Sequence, residues 1–213
     1  MNIGVLAVQG DFAEHCHVLR SIGADATEVR LPDHLAGLDG LIIPGGESTT
    51  LSRLMSLYRL REPVADMAAS GKAVWGTCAG MIMLAAEITE EDPVPLAVMD
   101  VGVQRNAFGR QVDSFEQDLT IKGLGPHSYH AIFIRAPVIM RVGKEVDVLS
   151  ALPDGRPVAV QQKNLLATAF HPELTADARM HRYFVAMAGG PAYDENAPLI
   201  ESPRVRGRLV QDS

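Results

Sequence analysis

The chain has 213 residues, is 47% hydrophobic and carries a formal net charge of −7 at pH 7, a length that allows one large α/β domain or two small ones. The acidic balance argues against a nucleic-acid partner, and no apolar run approaches the roughly 20 residues of a membrane span. Because Cys16 and Cys78 alone make no disulfide framework and the N-terminus lacks a basic leader, we expect a cytoplasmic protein.

Short apolar runs alternate with helical patterns in the first part of the chain. Strands are predicted over residues 2–8, 25–31 and 41–43, and residues 73–77 form a fourth apolar run. Alternation on this scale is typical of helices crossing over between parallel strands. The sequence therefore predicts an α/β fold with three layers around a mostly parallel, doubly wound sheet.

Two helices are predicted between these strands. The first follows residues 9–11, and its apolar stripe of Phe12, Cys16 and Leu19 places Cys16 in the core. The second follows residues 44–47, and either Ser48 or Thr49 is a suitable N-cap for it.

The fourth apolar run ends in a glycine-bounded turn around Cys78. Gly76-Thr77-Cys78-Ala79-Gly80 has the G-x-nucleophile-x-G form of a nucleophile elbow, in which only glycines fit beside the central residue. The following helix directs its unpaired N–H groups and the positive end of its dipole at that residue. The alternative interpretation is a structural cysteine buried in a tight turn.

Beyond residue 87 the pattern is richer in strands. A polar connection over residues 90–95 opens this part, and Asp154-Gly155 is predicted to make a hairpin turn. We expect some antiparallel pairing here because no helix is long enough to make crossovers. Strands are predicted over residues 99–103, 115–122, 131–135, 145–150, 157–161 and 165–170.

A helix from Thr175, its predicted N-cap, to Met187 is the last periodic element. Residues 1–189 are therefore predicted to form a single domain. The segment 190–213 carries no periodicity, and we expect it to be a flexible C-terminal tail.

His171-Pro172-Glu173 stands at the end of the predicted strand 165–170. Side chains at i and i+2 of an extended chain point the same way, and the proline keeps His171 extended. A carboxylate beside an imidazole orients it, as the third group of a catalytic triad does. His171 could then deprotonate Cys78 and later protonate a leaving amine. The alternative is a strand-end turn with a solvated histidine and glutamate.

Other polar groups carry weaker signals. Gly45-Gly46 and Cys78 both follow strands at their carboxyl ends, where ligands bind to open α/β sheets, so they are expected to face each other. His127 and His130 fall in a predicted loop and are expected to be solvated rather than catalytic. No metal-ligand spacing or phosphate-cradling loop is present, so neither a metal nor a nucleotide is predicted.

The order of cysteine, histidine and glutamate on an α/β sheet resembles the class I (triad) glutamine amidotransferases. More closely, residues 2–187 are similar to the glutaminase subunits of pyridoxal 5′-phosphate synthases. The blocks GTCAG and HPE mark the wider class, whereas PGGESTT and RNAFGRQVDSFE are much narrower. The other shared blocks are IGVLAVQG, FIRAP and FHPELT. The loop GPHSYH at residues 125–130 and the tail from residue 190 do not match the family.

The resemblance implies a role for each matching residue. Cys78 would form a γ-glutamyl thioester with glutamine, His171 would act as base and acid, and Glu173 would orient His171. Backbone N–H groups of Gly46 and Ala79 would form the oxyanion hole. Contacts with the bound glutamine are implied for Gly46, Glu47, Ser48, Arg105, Ile134 and Arg135. A guanidinium at Arg105 or Arg135 suits the α-carboxylate of glutamine, and a surface salt bridge is the alternative for either residue.

The implied activity is hydrolysis of L-glutamine to L-glutamate and ammonia. The implied partner is a TIM-barrel synthase subunit, which uses the ammonia to build pyridoxal 5′-phosphate in a large hetero-oligomer. No cofactor is expected in this chain, since pyridoxal 5′-phosphate is the product of the partner. The family's low activity without that partner suggests a flip of the Gly45-Gly46 peptide as the switch. The competing hypotheses are an independent hydrolase of γ-glutamyl peptides on the same fold and a non-catalytic binding module.

Overall fold

A computed structural model of the protein describes residues 1–105 and 114–196. As far as residue 84, one or two helices follow most of its strands. The helices are α1 (Phe12–Ser21), α2 (Ser48–Leu57), α3 (Arg61–Ala69), α4 (Ala79–Leu84) and α5 (Arg179–Met187). The strands of the first half are β1 (Asn2–Leu6), β2 (Asp25–Val29), β3 (Gly40–Ile43), β4 (Ala73–Thr77) and β5 (Ala85–Ile88). Those of the second half are β6 (Met99–Gln104), β7 (Ser114–Leu119), β8 (Tyr129–Ile134), β9 (Val138–Val142), β10 (Asp147–Ala151), β11 (Pro157–Gln162) and β12 (Leu165–Thr168).

A seven-stranded sheet in the order β10-β11-β12-β4-β3-β1-β2 organises the molecule. The five strands from β12 to β2 pair in parallel, and β11 pairs antiparallel with both β12 and β10. This arrangement confirms the predicted α/β fold, with a mostly parallel sheet and antiparallel strands in the second half.

Central strands of the sheet are buried along their whole length. All residues of β3, β4 and β12 are buried, which explains why these segments read as continuous apolar runs. The ring of Trp75 on β4 lies 5.5 Å from that of Phe184 on α5. Its neighbour Gly76 faces α4, since a Cβ there would meet the backbone of Gly80. Because adjacent strand residues point to opposite faces, α4 and α5 form layers on opposite sides of the sheet.

Two smaller sheets contain β5 and four strands of the second half, whose other three strands belong to the main sheet. Their orders are β5-β6-β9 and β7-β8. The strands β5 and β9 and the helix α3 were not predicted from the sequence. Placing His130 in a loop was wrong, because it lies on β8, although its side chain remains 53% exposed between Glu116 and Asp118. The predicted burial of Cys16 is confirmed, with 1% of the residue exposed.

The helix α2 begins with a different cap from the one predicted. Its N-cap is Glu47, whose carboxylate oxygens accept hydrogen bonds from the N–H groups of Thr49 at 3.2 Å and Thr50 at 2.6 Å. Ser48 and Thr49 already lie inside the helix, so the prediction of either as N-cap was wrong. The longer glutamate side chain reaches forward to the first turn from the residue before the helix.

The helix α5 starts four residues later than predicted. Pro172–Leu174 forms a 3-10 turn, and residues 175–178 after it are not helical. Thr175 therefore does not cap a helix, although its extended backbone is one that an N-cap could have. Asp177 takes over the capping contact, because its Oδ1 accepts a hydrogen bond from the N–H of Arg179 at 3.0 Å.

The end of the described chain folds back on the rest. The Tyr193 hydroxyl donates a hydrogen bond to the carbonyl of Leu124 at 3.4 Å, and its ring lies 5.9 Å from that of Tyr183. The division into a domain over residues 1–189 and a flexible tail stays a prediction, and residues 197–213 of that tail lie outside the described residues. Among residues 1–105 and 114–196, no helix is long and apolar enough to cross a bilayer.

Candidate active site

The candidate site lies at the carboxyl edge of the parallel strands. Residues 9–11 follow β1, residues 44–47 follow β3, Cys78 follows β4, and His171 comes three residues after β12. Parallel strands bring all four of these segments to one edge of the sheet, which is where open α/β sheets bind their ligands.

Cys78 occupies a strained turn between β4 and α4. Its φ of 48° and ψ of −104° lie outside the regions that most residues adopt. A Cβ on Gly80 would overlap the carbonyl oxygen of Ile43, so the turn accepts only glycine there. The strand-turn-helix geometry predicted for GTCAG is therefore confirmed.

The thiol of Cys78 faces two other elements. Its Sγ lies 3.8 Å from the carbonyl oxygen of Ile134 at the end of β8. The side chain also interacts with the imidazole of His171, and 6% of the residue is exposed. These contacts favour the reactive interpretation of the turn over a purely structural cysteine.

His171 is held by a buried carboxylate. Its Nδ1 lies 2.7 Å from Oε1 of Glu173, whose side chain is completely buried. Asp11 contributes a third carboxylate, with Oδ2 at 3.5 Å from the same Nδ1. These three residues offer ligand atoms within 4.8 Å of one another. Because Nδ1 of His171 is already bonded to Glu173, this geometry favours orientation of the imidazole over binding of a metal ion.

Burial and charge act in opposite directions on this pair. Burial by itself would lower the pKa of His171, but the charge of Glu173 and hydrogen bonds with Cys78 and Glu173 outweigh it and raise the pKa well above the usual value. Burial raises the pKa of Glu173, and the charge on His171 opposes that effect. The two groups therefore stabilise each other in their charged forms.

The turn after β3 packs directly on the imidazole. A Cβ on Gly45 would overlap the ring of His171. The carbonyl of Gly45 accepts a hydrogen bond from the N–H of Asp11 at 3.4 Å. This bond fixes the present orientation of the Gly45-Gly46 peptide, although its length makes it a weak restraint.

Gly46 completes this turn with a backbone conformation that suits glycine. Its φ is +141°, and a Cβ would overlap the side-chain amide of Gln9. The next N–H, that of Glu47, donates a hydrogen bond to Oε1 of Gln9 at 3.1 Å. The segment after β1 therefore holds the turn on which the expected oxyanion-hole residue lies.

Two of the expected glutamine contacts meet each other in the structure. Nη2 of Arg105 lies 3.2 Å from Oε1 of Glu47, with 19% of the arginine side chain and 49% of the glutamate side chain exposed. Nη1 of Arg105 also donates to the carbonyl of Asp92 at 2.6 Å. The salt bridge that was the alternative for Arg105 is thus present, and it lies on the residue that caps α2.

The remaining residues expected to contact glutamine or its oxyanion differ in burial and in distance from the thiol. Ala79 is the residue after Cys78 and begins α4, and Ser48 is the buried first residue of α2. Ile134 lies beside the thiol through its carbonyl, whereas Arg135 has an exposed side chain and a φ of 43°. Most of the block RNAFGRQVDSFE, residues 106–113, lies outside the described residues.

The groups that α1 and the preceding turn contribute were not predicted from the sequence. Gln9 and Asp11 come directly after β1, at the same sheet edge as Cys78, and that position was their available signal. His15 is buried beside the triad. The sequence indicated the burial of His15 only weakly. This residue occupies the i+3 position of the stripe that begins at Phe12, where an apolar residue is usual.

The chain was compared with protein-family models, curated proteins and solved structures. The model of the SNO glutamine amidotransferase family matches residues 5–189. The chain is 57% identical over 190 residues to the pyridoxal 5'-phosphate synthase subunit PdxT of Dehalococcoides mccartyi, covering 88% of this chain and 97% of that protein. The PdxT of Herpetosiphon aurantiacus is 53% identical over 190 residues, with 88% of this chain and all of that protein covered (100%).

A solved structure supports the same placement. The crystal structure of a glutamine amidotransferase superimposes with a TM-score of 0.83 at 52% sequence identity. The match covers 88% of this chain and 98% of the crystallised chain.

Proposed function

The chain belongs to the SNO glutamine amidotransferase family, and from this premise we propose that it hydrolyses L-glutamine to L-glutamate and ammonia as the glutaminase subunit of a pyridoxal 5′-phosphate synthase. The observation that carries the proposal is the contact of Cys78 with His171 and of His171 with Glu173 at the carboxyl edge of the sheet. The PdxT relatives, matched over nearly their whole length, support the assignment to this synthase.

The reaction begins with attack of Cys78 on the side-chain amide carbon of glutamine. His171 takes the thiol proton, and Glu173 stabilises the resulting imidazolium. The tetrahedral oxyanion is held by the backbone N–H groups of Gly46 and Ala79. His171 returns the proton to the leaving nitrogen, so ammonia departs and a γ-glutamyl thioester remains. A water molecule that gives its proton to His171 then attacks the thioester and releases glutamate.

Substrate binding uses the rim of the same edge. Glu47 and Arg105, which pair with each other at 3.2 Å, supply a carboxylate for the α-amino group and a guanidinium for the α-carboxylate of glutamine. Gly46, Ser48, Ile134 and Arg135 complete the proposed binding set. The pairing of Glu47 with Arg105 keeps both charges in place before glutamine arrives.

The ammonia requires a second subunit. In water it would gain a proton and lose the lone pair that makes it a nucleophile, so it must pass directly to the subunit that uses it. A TIM-barrel synthase subunit in a large hetero-oligomer is the proposed recipient. We assign the complex to the cytoplasm, where free buried cysteines such as Cys16 and Cys78 stay reduced.

Activation by the partner is proposed to act on the Gly45-Gly46 peptide. A flip of this peptide would break the 3.4 Å hydrogen bond between the Asp11 N–H and the Gly45 carbonyl and would redirect the Gly46 N–H. Glycine on both sides keeps the conformational penalty small. Binding of the synthase subunit would then stabilise the orientation that accepts the oxyanion.

The test is glutamate release from glutamine by the purified chain, alone and with the synthase subunit. We expect strong stimulation by the partner and complete loss in Cys78→Ala. The matched control is Cys16→Ala, which removes the other thiol from the core and should leave the stimulated rate intact. High activity that is the same with and without the partner would identify an independent γ-glutamyl hydrolase instead. No glutamate under either condition would reject the glutaminase assignment.

A further inference from the structure

Behind the triad, Glu173 meets a second histidine that the proposed reaction does not use. Oε2 of Glu173 lies 3.3 Å from Nε2 of His15. The other ring nitrogen of His15, Nδ1, lies 2.9 Å from Nε2 of His181. Nε2 of His15 is also 3.3 Å from the hydroxyl of Thr77. The exposed fraction is 0% for both histidines and Thr77 and 2% for Glu173, so the cluster is shielded from bulk solvent.

The proton positions in the cluster follow from its contacts. Burial and the charges of His181 and His171 lower the pKa of His15 well below its usual value, and burial lowers that of His181. Both rings are therefore neutral, and each carries one N–H. If His15 carried its proton on Nδ1, its bare Nε2 would face the carboxylate of Glu173, and two electron pairs would oppose each other.

The opposite assignment satisfies more groups. With the proton on Nε2, His15 directs an N–H at Glu173 and Thr77, and its Nδ1 accepts from the Nε2–H of His181. The only ring nitrogen then left without a partner is Nδ1 of His181, which carries a lone pair rather than a buried donor. Leaving a lone pair without a partner is the more common compromise in buried sites.

We propose that His15 is a positioning residue for Glu173, and that His181 fixes the tautomer of His15. Within the described chain, Oε2 of Glu173 has no partner that meets hydrogen-bond geometry. The N–H of His15, whose nitrogen lies 3.3 Å away, therefore stabilises this oxygen electrostatically. Oε1 remains free to hold Nδ1 of His171 at 2.7 Å. The result is a buried series that runs from Cys78 through His171 and Glu173 to His15 and His181.

This inference rests on the proposed function, because it assigns His15 a role in the same reaction. His15 touches neither substrate nor thiol. Its effect passes through Glu173, which must stay ionised and correctly rotated for His171 to work. Groups that support a catalytic residue in this way change the turnover rate without changing substrate affinity.

The experiment compares His15→Leu with His15→Gln in the complex with the synthase subunit. Leucine fills the space without a donor, whereas the glutamine amide can place an N–H near the position of Nε2. We expect His15→Leu to lower kcat about 10- to 100-fold with little change in KM, and His15→Gln to recover most of the loss. The control is His17→Leu on the exposed face of α1, which should match the wild type.

A second readout does not require turnover. The rate at which iodoacetamide alkylates Cys78 is measured from pH 5 to 9 by peptide mass spectrometry, and we expect the profile of His15→Leu to differ from that of the wild type. If His15→Leu does not fold, His181→Leu replaces it, with a smaller loss expected in the same direction. Equal kcat and an unchanged alkylation profile in the leucine variant would overturn the proposal.

These two readouts separate the two hypotheses. A wild-type complex that releases no glutamate would reject the proposed function. The alkylation profiles would still report whether His15 acts on the series that ends at Cys78. A wild-type complex that is active, together with a fully active His15→Leu variant, would reject the positioning role alone.

Discussion

Glu173 shows how a single residue can favour chemistry at the expense of stability. Its carboxylate is completely buried, and burial raises its pKa despite the charge on His171. A buried ion pair is weak evidence for stability, because the lost hydration of both charges offsets their attraction. The energetic benefit of this carboxylate therefore lies in the imidazolium that forms during the reaction.

Glu173→Gln is expected to reduce activity without weakening the fold. The amide oxygen can still accept the hydrogen bond from Nδ1 of His171, but the negative charge that stabilises the imidazolium is gone. We expect kcat of the complex to fall roughly 10²- to 10⁴-fold. The thermal midpoint should change little, because the gain from removing a buried charge is offset by the loss of its pairing with the His171 imidazolium.

Steady-state glutaminase assays and thermal unfolding of the same preparation check both parts of this prediction. The control is Glu28→Gln, an exposed glutamate that pairs with Arg30 far along the chain from the triad, and it should change neither quantity. A large fall in the thermal midpoint of Glu173→Gln would mean that the carboxylate is needed for folding.

At the scale of elements, the turn between β4 and α4 was the most predictable feature. Its glycines are required by contacts within the strand, the turn and the neighbouring β3, as the overlap of a Gly80 Cβ with the Ile43 carbonyl shows. Because the residues that must be glycine are close together in the sequence, the pattern GTCAG contained enough information to predict the turn.

Gly80→Ala tests this close approach. Alanine is about 1 kcal/mol better than glycine in a helix, but here its methyl group would push α4 away from β3. Overpacking of this kind usually destabilises by about 1–3 kcal/mol, so we expect a net loss in urea unfolding together with reduced glutaminase activity. Gly71→Ala is the control, because its Cβ meets no atom within 4 Å and only its φ of +87° is unfavourable.

That control separates crowding from backbone conformation. Gly71→Ala should lose about 1–2 kcal/mol of stability from its left-handed backbone alone, and its activity should remain. If Gly80→Ala were as active and as stable as the wild type, the turn would tolerate a side chain and the proposed crowding would be wrong.

Element ends were less predictable than the turn. Glu47, Ser48 and Thr49 are consecutive residues that can all cap a helix, and the choice of Glu47 depends on the path that Gly46 takes before it. The start of α5 was displaced because the segment after His171 forms a 3-10 turn. In both cases a preceding turn fixed by contacts with other elements decided where the helix begins.

At the scale of the whole molecule, the sheet and the position of the site followed from local patterns, whereas the buried histidine cluster did not. Alternating strands and helices imply a parallel sheet, and a parallel sheet brings its strand ends to one edge. The contact between His15 and His181 joins residues 166 positions apart, and that between His15 and Thr77 spans 62. A pattern of a few neighbouring residues contains no information about contacts between residues so far apart in the sequence.

The same cluster should govern how the stability of the molecule depends on pH. Burial lowers the pKa of His181 to about 3, whereas a histidine in the unfolded chain titrates near 6.5. Between these values the unfolded state binds more protons than the folded state, so stability rises with pH and is lost as the solution becomes more acidic. His171 has the opposite sign, since its pKa is raised, and its contribution is lost only at high pH.

His181→Leu removes this contribution and also the part of the lowered pKa of His15 that His181 causes, and both changes make stability depend less on pH below 6.5. Below pH 6.5 the wild type should lose about 1.4 kcal/mol more unfolding free energy per pH unit than the variant. Urea unfolding at pH 7.5, 6.5, 5.5 and 5.0 measures this difference, and His17→Leu serves as the exposed-histidine control. Parallel curves for the wild type and His181→Leu would show that His181 takes up its proton in the folded state, and the neutral series behind Glu173 would then be incorrect.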